Sequence, residues 1–429
     1  MRIALVTLGS LGDLYPFVAL GLGLKTAGHE VLVVTHTPFE QIVRERGLCF
    51  APVDIDPRIL LENEEGQSWL NSGGNALLFF RQFSRIAELL ILQAVVDCWH
   101  ACQGTEAIVF STIGFCIAHP IAEKLGVPSL MAAPYPVTPT RTFASPYFPA
   151  APTWLPIGRG YYNRQTHLLA MFAFWQLVRP AVNRALREVL DMPPLPPGWL
   201  LSQVRQGRIT VLYAYSPSVV PRPPDWGNWN HVTGYWFLDH QPDWHPPADL
   251  VEFLASGPPP VYIGFGSMNS RRPREMTEMV LKALARSRQR GILLTGWGGL
   301  SNIDLPNDVF KIDAVPHDWL FPQVAAVVHH GGSGTTGAGL RAGIPTVIIP
   351  FFGDQPFWGH RVYELGVGLR PIPRKQLSVE RLADAISTAA SDANMRLRAA
   401  ALGERVRAED GVARAVEILQ RYLPDSPSG

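Results

Sequence analysis

The stretch His329-His330-Gly331-Gly332-Ser333-Gly334-Thr335-Thr336, followed by Asp354-Gln355, decides how this 429-residue chain is interpreted. It lies between two apolar runs, Val324–Val328 and Thr346–Ile349, each of which predicts a strand. A strand therefore delivers histidine, glycine and hydroxyl groups to the start of a helix. Backbone N–H groups and the positive end of the helix dipole can hold an anion there, most often a phosphate. An ordinary glycine-rich turn has a similar composition, so the rest of the chain must decide between these two interpretations.

The chain alternates strand and helix signals in both halves, which is typical of parallel sheets covered by helices on both faces. The predicted strands are Ile3–Thr7, Val31–Thr35, Ala107–Ser111, Ser129–Ala133, Val261–Phe265, Ile292–Thr295, Val309–Ile312, Val324–His329 and Thr346–Pro350. The predicted helices are 13–27, 77–101, 162–190 and 412–422. We therefore predict an α/β protein with two doubly wound, Rossmann-like domains that face each other across a cleft. Ligands of such sheets lie beyond the carboxyl ends of the strands.

The length suggests two domains of roughly 200 residues each. A stretch dense in proline and tryptophan, Pro217–Pro247, interrupts the alternation and marks the connection between them. We divide the chain into an N-terminal domain (1–220), a linker (221–245), a C-terminal domain (246–405) and a last segment (406–429).

Composition narrows the classes of partner. The formal net charge is +1 and no run of Lys or Arg stands out, which argues against a nucleic-acid partner. The four cysteines lie in apolar settings and suggest buried thiols in a reducing compartment. The most apolar helical stretch, Leu168–Val178, is far shorter than the roughly 20 residues of a membrane span. We expect a soluble, cytoplasmic protein, and the aromatic residues near this stretch leave a peripheral membrane contact open.

Several motifs carry a family resemblance. His330 to Thr335 with Asp354-Gln355 resembles the donor-sugar signature of GT-B glycosyltransferases, which use nucleotide-activated sugars. The longer run Gly339–Trp358 is similar to sterol 3-beta-glucosyltransferases and their bacterial relatives, as are Gly9–Pro16 and Gly234–Leu238. The resemblance spans nearly the whole chain. It implies the GT-B fold, with an acceptor-binding N-terminal domain (1–220) and a nucleotide-sugar-binding C-terminal domain (246–405). A closing helix in residues 406–429 would pack back on the N-terminal domain.

The resemblance implies a donor site built from several segments of the C-terminal domain. His330 and the residues after it would bind the diphosphate, and Ser267 in a second glycine-rich turn would approach it. Val315 and His317 would lie against a nucleobase, most simply uracil, while Asp354 and Gln355 suit the hydroxyl groups of a hexose. An alternative is that Asp354 only caps the next helix. The candidate donor-binding residues are Ser267, Val315, His317, His330, Gly332, Ser333, Gly334, Thr335, Asp354 and Gln355.

The candidate catalytic residues are Asp13 and His330. Asp13 would deprotonate the acceptor hydroxyl, as the aspartate of the sterol and antibiotic branches does by resemblance, and His330 would stabilise the leaving phosphate. Leu11 replaces the arginine that is usual in this loop, which leaves the charge around Asp13 open. The alternative for Asp13 is a cap on a helix beginning at Leu14, and capping is compatible with catalysis.

An apolar, aromatic slot in the first domain would bind the acceptor. Such a slot suits a flat hydrophobic molecule with one hydroxyl group, and the run Pro139–Phe143 resembles the sterol branch. The same aromatic residues could instead only pack the loop. The candidate acceptor-binding residues are Ser10, Phe115, Tyr135, Arg141, Phe143, Phe172 and Trp175.

These expectations combine into an inverting glucosyltransferase that moves glucose from UDP-glucose to a sterol or triterpenoid-like hydroxyl. The first alternative is an antibiotic or polyketide glycosyltransferase that uses a UDP- or dTDP-sugar. A different class remains open as well: a GT-B-like epimerase, or a binding protein without turnover. UDP-glucose would be a co-substrate, with no cofactor and no metal. Asp54-Ile55-Asp56 spells a metal-binding Asp-x-Asp, but we interpret it as turn chemistry because it is far from the phosphate loop.

Overall fold

The computed structural model describes residues 1–55, 90–152, 158–265, 273–294 and 305–423. Residue contacts divide the chain into two units. The first comprises 1–217, 221–236 and 410–429, and the second comprises 218–220 and 237–409. The predicted Ser267 and Asp56 lie outside the described residues.

Twelve strands lie in named sheets among the described residues. They are β1 (Arg2–Val6), β2 (Glu30–His36), β3 (Cys49–Val53), β4 (Ala107–Ser111), β5 (Ser129–Ala133), β6 (Thr210–Tyr213), β7 (Asn230–Val232), β8 (Val261–Gly264), β9 (Gly291–Leu294), β10 (Val309–Ile312), β11 (Ala326–His329) and β12 (Thr346–Ile348).

The α-helices of the described residues surround these sheets. They are α1 (Leu11–Thr26), α2 (Glu40–Glu45), α3 (90–101), α4 (Phe115–Leu125), α5 (Arg159–Leu190), α6 (Trp199–Arg205), α7 (Ala248–Ala255), α8 (Pro273–Ser287), α9 (His317–Leu320), α10 (Ser333–Ala342), α11 (Gln355–Glu364), α12 (Val379–Ser391), α13 (Ala393–Arg407) and α14 (Gly411–Gln420). In the described part of the chain, no helix is long and apolar enough to cross a membrane.

The first unit contains a parallel sheet of seven strands in the order β3-β2-β1-β4-β5-β6-β7. Its two central strands are fully buried, since Ile3–Val6 and Ala107–Phe110 are 0 % exposed. Near-continuous apolar residues are required there because helices cover both faces of the sheet. The strand order reverses between β1 and β4, and this makes the loops that follow these two strands the expected ligand position.

The second unit contains a parallel sheet of five strands in the order β10-β9-β8-β11-β12. Alternate residues of β8 enter different cores: Val261 and Ile263 pack in one, and Tyr262 packs in the other. This alternation follows from the two-residue period of a strand and shows that both faces are covered. The order reverses between β8 and β11, so His330, directly after β11, lies at the switch point.

The last helix belongs to the first unit. A Cβ added to Gly23 of α1 would lie 2.4 Å from Cγ1 of Val412 and 3.2 Å from Cγ2 of Val416, both on α14. Gly411 at the start of α14 similarly approaches the carbonyl oxygen of Tyr235, to which an added Cβ would lie 2.3 Å away. The small residues therefore allow α14 to pack closely on α1 and on the residues after β7.

Part of the stretch assigned to the linker (221–245) is not a linker. Residues 221–236 belong to the first unit, and β7 extends its sheet beside β6. Arg222 holds this strand, since its guanidinium donates to the carbonyl oxygens of Asn230, Trp226 and Gly227. The short strands β3, β6 and β7 are also absent from the predicted set. Helix α1 begins at Leu11, two residues before the predicted start.

Candidate active site

The loop between β11 and α10 presents the start of a helix at the switch point. Gly332 is the N-cap, with φ −62° and ψ 145°, and the first helical bond runs from the N–H of Thr336 to the carbonyl oxygen of Gly332. The N–H groups of the first turn therefore point out of the helix end. Gly334 is exposed and a Cβ added there would meet nothing within 4 Å. The helix end is accessible to an anion.

Two glycines of this loop lie so close to neighbouring atoms that an added Cβ would collide with them. Gly331 has a φ of +93°, and a Cβ there would lie 2.6 Å from Cγ2 of Ile348 and 3.1 Å from the carbonyl oxygen of Gln355. A Cβ at Gly332 would lie 2.5 Å from Nε2 of His330. The imidazole of His330 therefore lies over Gly332, and the loop rests against the residue pair that the sequence assigns to the hexose.

The imidazole of His330 is neutral at pH 7. Burial lowers its pKa to about 4, and the nearby His317 adds to this effect. Its Nδ1 is buried and makes no hydrogen bond with any described residue. A neutral imidazole can donate one hydrogen bond to a phosphate oxygen without the desolvation cost of a buried charge.

Asp354 and Gln355 also hold their own loop. Oδ2 of Asp354 accepts a hydrogen bond from Nε1 of Trp358 at 2.7 Å. Oε1 of Gln355 accepts from the backbone N–H groups of Phe351 at 2.7 Å and Phe352 at 3.2 Å. Asp354 stands at the N-cap of α11, but its side chain makes no capping bond. The alternative that Asp354 serves only as a cap is therefore wrong.

The carboxyl group of Asp13 is held by one oxygen only. Oδ2 accepts from the N–H of Ser10 at 2.8 Å and from its hydroxyl at 3.1 Å. No hydrogen bond to Oδ1 is present among the described residues. Burial raises the pKa of Asp13, and the two bonds from Ser10 lower it in part. A carboxylate anchored in this way, with a raised pKa and one open oxygen, has the form of a general base.

Gly9 makes room for this carboxylate. It has a φ of +134°, and a Cβ there would lie 2.4 Å from Oδ2 of Asp13. Ser10, rather than Asp13, is the N-cap of α1, and Asp13 is the third residue of that helix. The alternative of a cap by Asp13 on a helix beginning at Leu14 is therefore wrong.

The residues predicted to bind the nucleobase lie just before α9 and at its start. His317 is the first residue of this helix, and its ring stacks on Phe321 at 4.3 Å between centroids. Burial lowers the pKa of His317 to about 4, so it too is neutral at pH 7. Val315 packs at the edge of the core that contains Tyr262. Residues 315 to 317 thus follow β10 at the carboxyl edge of the same sheet.

Some acceptor candidates lie near the first switch point. The hydroxyl of Tyr135, just after β5, contacts Oγ1 of Thr112 at 3.2 Å and accepts from the hydroxyl of Tyr147 at 2.9 Å. Phe172 is 41 % exposed on α5. Thr112, which follows β4, was not among the candidates, although its position after a central strand is a signal for it.

Arg141 and Phe143 each contact a residue from another part of the first unit. The side chain of Arg141 is exposed, and its backbone N–H donates to Oδ2 of Asp225 at 2.8 Å. The ring of Phe143 lies 6.1 Å from that of His167.

Two acceptor candidates are core residues instead. Trp175 is 1 % exposed, its Nε1 donates to the carbonyl oxygen of Pro196 at 2.9 Å, and its ring lies 5.0 Å from that of Trp199. Phe115 is 4 % exposed and stacks on the same Trp199 at 5.1 Å. Because both rings are packed between helices, neither presents a surface to an acceptor.

In the described ranges, no group of three or more His, Cys, Asp or Glu residues could hold a metal ion. The N–H of Asp54 donates to Oδ2 of Asp97 on α3 at 2.9 Å.

Two family models match the two halves. The glycosyltransferase family 28 N-terminal domain matches residues 3–144, and the erythromycin biosynthesis protein CIII-like C-terminal domain matches residues 294–421. With the two doubly wound sheets and their switch-point loops, these matches define the class. The chain belongs to the GT-B glycosyltransferases.

Its sequence is similar to sterol 3-beta-glucosyltransferases. The enzyme of Arabidopsis thaliana is 38 % identical over 99 % of this chain and 66 % of its own length. That of Emericella nidulans is 38 % identical over 99 % of this chain and 30 % of its own length. The chain thus spans about two thirds of the plant relative and less than a third of the fungal one.

Solved structures of antibiotic glycosyltransferases share the fold. The glycosyltransferase of kitacinnamycin has a TM-score of 0.70 at 21 % identity, with 99 % of each chain covered. The glycosyltransferase VinC, in complex with dTDP, has a TM-score of 0.64 at 19 % identity, with 99 % of each chain covered.

Proposed function

We propose that this protein is an inverting glucosyltransferase that moves glucose from UDP-glucose to the hydroxyl of a sterol or a similar hydrophobic molecule. The product would be a beta-glucoside. The observation that carries the proposal is that both sheets place a motif loop at their switch point, one with an open carboxylate and one with an exposed glycine, Gly334, at the start of a helix. The sterol glucosyltransferases that align with 99 % of the chain support the choice of acceptor and sugar.

The second unit would bind the donor and stabilise the leaving diphosphate. The start of α10 offers N–H groups and a hydroxyl from Thr335, and neutral His330 offers a further donor to a phosphate oxygen. Charge develops on the leaving oxygen as the bond to the sugar breaks, so these fixed donors bind the transition state more tightly than the ground state. VinC was solved with dTDP, which supports a nucleoside diphosphate as the ligand of this fold.

The first unit would supply the base. Oδ1 of Asp13 would accept the proton of the acceptor hydroxyl while Ser10 fixes Oδ2. The hydroxyl oxygen then attacks the anomeric carbon opposite the diphosphate, and one displacement turns an alpha-linked donor into a beta-glucoside. No metal and no cofactor enters this scheme, and we propose a cytoplasmic enzyme whose acceptor reaches it from a membrane or in solution.

The experiment is a panel of UDP-glucose and dTDP-glucose against cholesterol and a macrolide aglycone, with products analysed by mass spectrometry and proton NMR. We expect UDP-glucose to add one hexose to cholesterol, with the beta configuration at the anomeric carbon, and Asp13→Asn to form this product at least about a hundredfold more slowly. Transfer to the macrolide alone would favour the antibiotic alternative. Release of free glucose or an epimer without an acceptor would contradict the proposed transfer.

A further inference from the structure

Two histidines outside the proposed reacting groups accept hydrogen bonds from the glycine turns of the two motif loops. In the second unit, the N–H of Gly331 donates to Nδ1 of His329 at 3.0 Å. His329 is the last residue of β11 and is 0 % exposed. The bond thus holds the backbone of Gly331, which has a positive φ and directly follows His330.

The first unit repeats the arrangement with the other ring nitrogen. The N–H of Gly9 donates to Nε2 of His36 at 3.0 Å. His36 is the last residue of β2, which pairs with β1, and it is 5 % exposed. Gly9 also has a positive φ and lies against the carboxylate of Asp13.

A ring nitrogen that accepts an N–H must carry no proton. Each of these bonds therefore fixes a neutral imidazole with its proton on the opposite nitrogen. Burial lowers the pKa of His329 well below its usual value, and the nearby His330 and His317 add to this effect. The buried environment thus favours the form that the hydrogen bond requires.

We propose that His329 and His36 are positioning residues, which hold the two glycine turns through Nδ1 and Nε2 respectively and so place His330 and Asp13. This inference rests on the proposed function. Without the acceptor, the N–H of Gly331 would be buried and unpaired, and the turn would move to find a new partner. His330 would then leave its position over Gly332. The loss of the His36 bond would similarly release Gly9 from beneath Asp13.

Substitution by asparagine or glutamine distinguishes the roles of the two ring nitrogens. The amide oxygen of asparagine falls near the place of Nδ1, and that of glutamine falls near the place of Nε2. We expect His329→Asn to bind UDP within about threefold of the wild type, and His329→Gln to bind it about tenfold more weakly or worse. For His36 the order reverses: His36→Gln keeps kcat, and His36→Asn loses about tenfold of kcat with unchanged UDP affinity. Calorimetry measures the affinities, and thermal unfolding shows which variants are folded.

A role in packing alone would not produce this crossed pattern, because the two amides differ by one methylene and would be tolerated alike at each site. Equal UDP affinity of the His329 pair, or equal kcat of the His36 pair, would overturn the inference. If one His329 variant does not fold, the His36 pair decides. Absence of UDP binding by the wild type would instead overturn the proposed function, so the two failures are distinguishable.

Discussion

Asp13 shows how one residue can stabilise a helix and remain available for chemistry. Its Oδ2 is used by the N–H and hydroxyl of Ser10, which reciprocates the cap of α1. Oδ1 lacks a hydrogen bond with any residue the structure describes. Burial raises the pKa of this carboxyl group, which makes its conjugate base stronger than that of an exposed aspartate.

Asp13→Asn should separate the two roles. The amide oxygen can still accept from Ser10, so α1 and the fold should be retained, whereas the base is lost. We expect turnover to fall by about two to four orders of magnitude, with UDP-glucose affinity unchanged. Steady-state rates and calorimetry measure the two effects. Full turnover in this variant would remove Asp13 from the role of base.

Asp354→Asn should weaken binding of the sugar and leave binding of the nucleotide unchanged. An amide oxygen can still accept from Nε1 of Trp358, so the loop should remain in place. The charge that would bind hexose hydroxyls is lost, and we expect KM for UDP-glucose to rise by about tenfold. UDP itself, which has no hexose, should bind as before. Equal weakening of UDP and UDP-glucose would show that Asp354 acts through the loop.

At the scale of elements, most strands were predictable from their apolar runs, whereas β3, β6 and β7 of the first sheet were not. The predicted bounds of Ala107–Ser111 and Ser129–Ala133 are those of β4 and β5, because buried parallel strands are continuous apolar runs. Strand β7 has three residues in a stretch rich in proline and tryptophan, and the contacts of Arg222 hold it. Contacts of this kind, made by a single side chain, leave no periodic signal in the sequence of a short strand.

The site followed the same division. The motif residues follow strands, as their spacing predicted, whereas Phe115 and Trp175, which we assigned to the acceptor slot, are buried against another ring. An aromatic residue on a helix has the same letter whether it faces a ligand or another ring, and here both face Trp199. His36 was not among the candidate residues, although it is the last residue of β2, which pairs with β1.

The turn between β11 and α10 should not tolerate a side chain at Gly331. Gly331→Ala places a Cβ 2.6 Å from Ile348 in a positive-φ conformation, and we expect UDP affinity to fall at least about tenfold. Gly353→Ala is the matched control, because Gly353 also has a positive φ, at +68°, but a Cβ there would meet nothing within 4 Å. Calorimetry with UDP compares the two. Equal losses would show that backbone strain alone, without the contact to Ile348, explains the effect.

At the scale of the whole molecule, buried neutral histidines should make the protein less stable in acid. Burial lowers the pKa values of His119 and His167 to about 4 from an ordinary 6.5. The unfolded chain binds protons below pH 6.5, but the folded chain binds them only near pH 4. The stabilising contribution of these histidines to the free energy of unfolding is therefore fully present above pH 6.5. It decreases as the pH falls toward 4, by up to about 3 kcal/mol for each histidine.

Thermal unfolding between pH 7.5 and 4.5 measures this loss for the first unit. His167→Gln keeps a donor near the carbonyl oxygen of Phe143, and His119→Asn keeps a partner near Oγ of Ser129, while neither titrates. Over this pH range, we expect the Tm of both variants to decrease less than that of the wild type. An unchanged slope in the double variant would show that other groups control acid stability.

The central claim is that the second unit binds an activated sugar by its diphosphate through the loop of His330. Titration calorimetry of UDP with the wild type, His330→Ala and Asp13→Asn tests it most directly. We predict binding by the wild type, affinity weakened at least about tenfold in His330→Ala, and unchanged affinity in Asp13→Asn. No heat with UDP, or equal affinity in the wild type and His330→Ala, would contradict the claim.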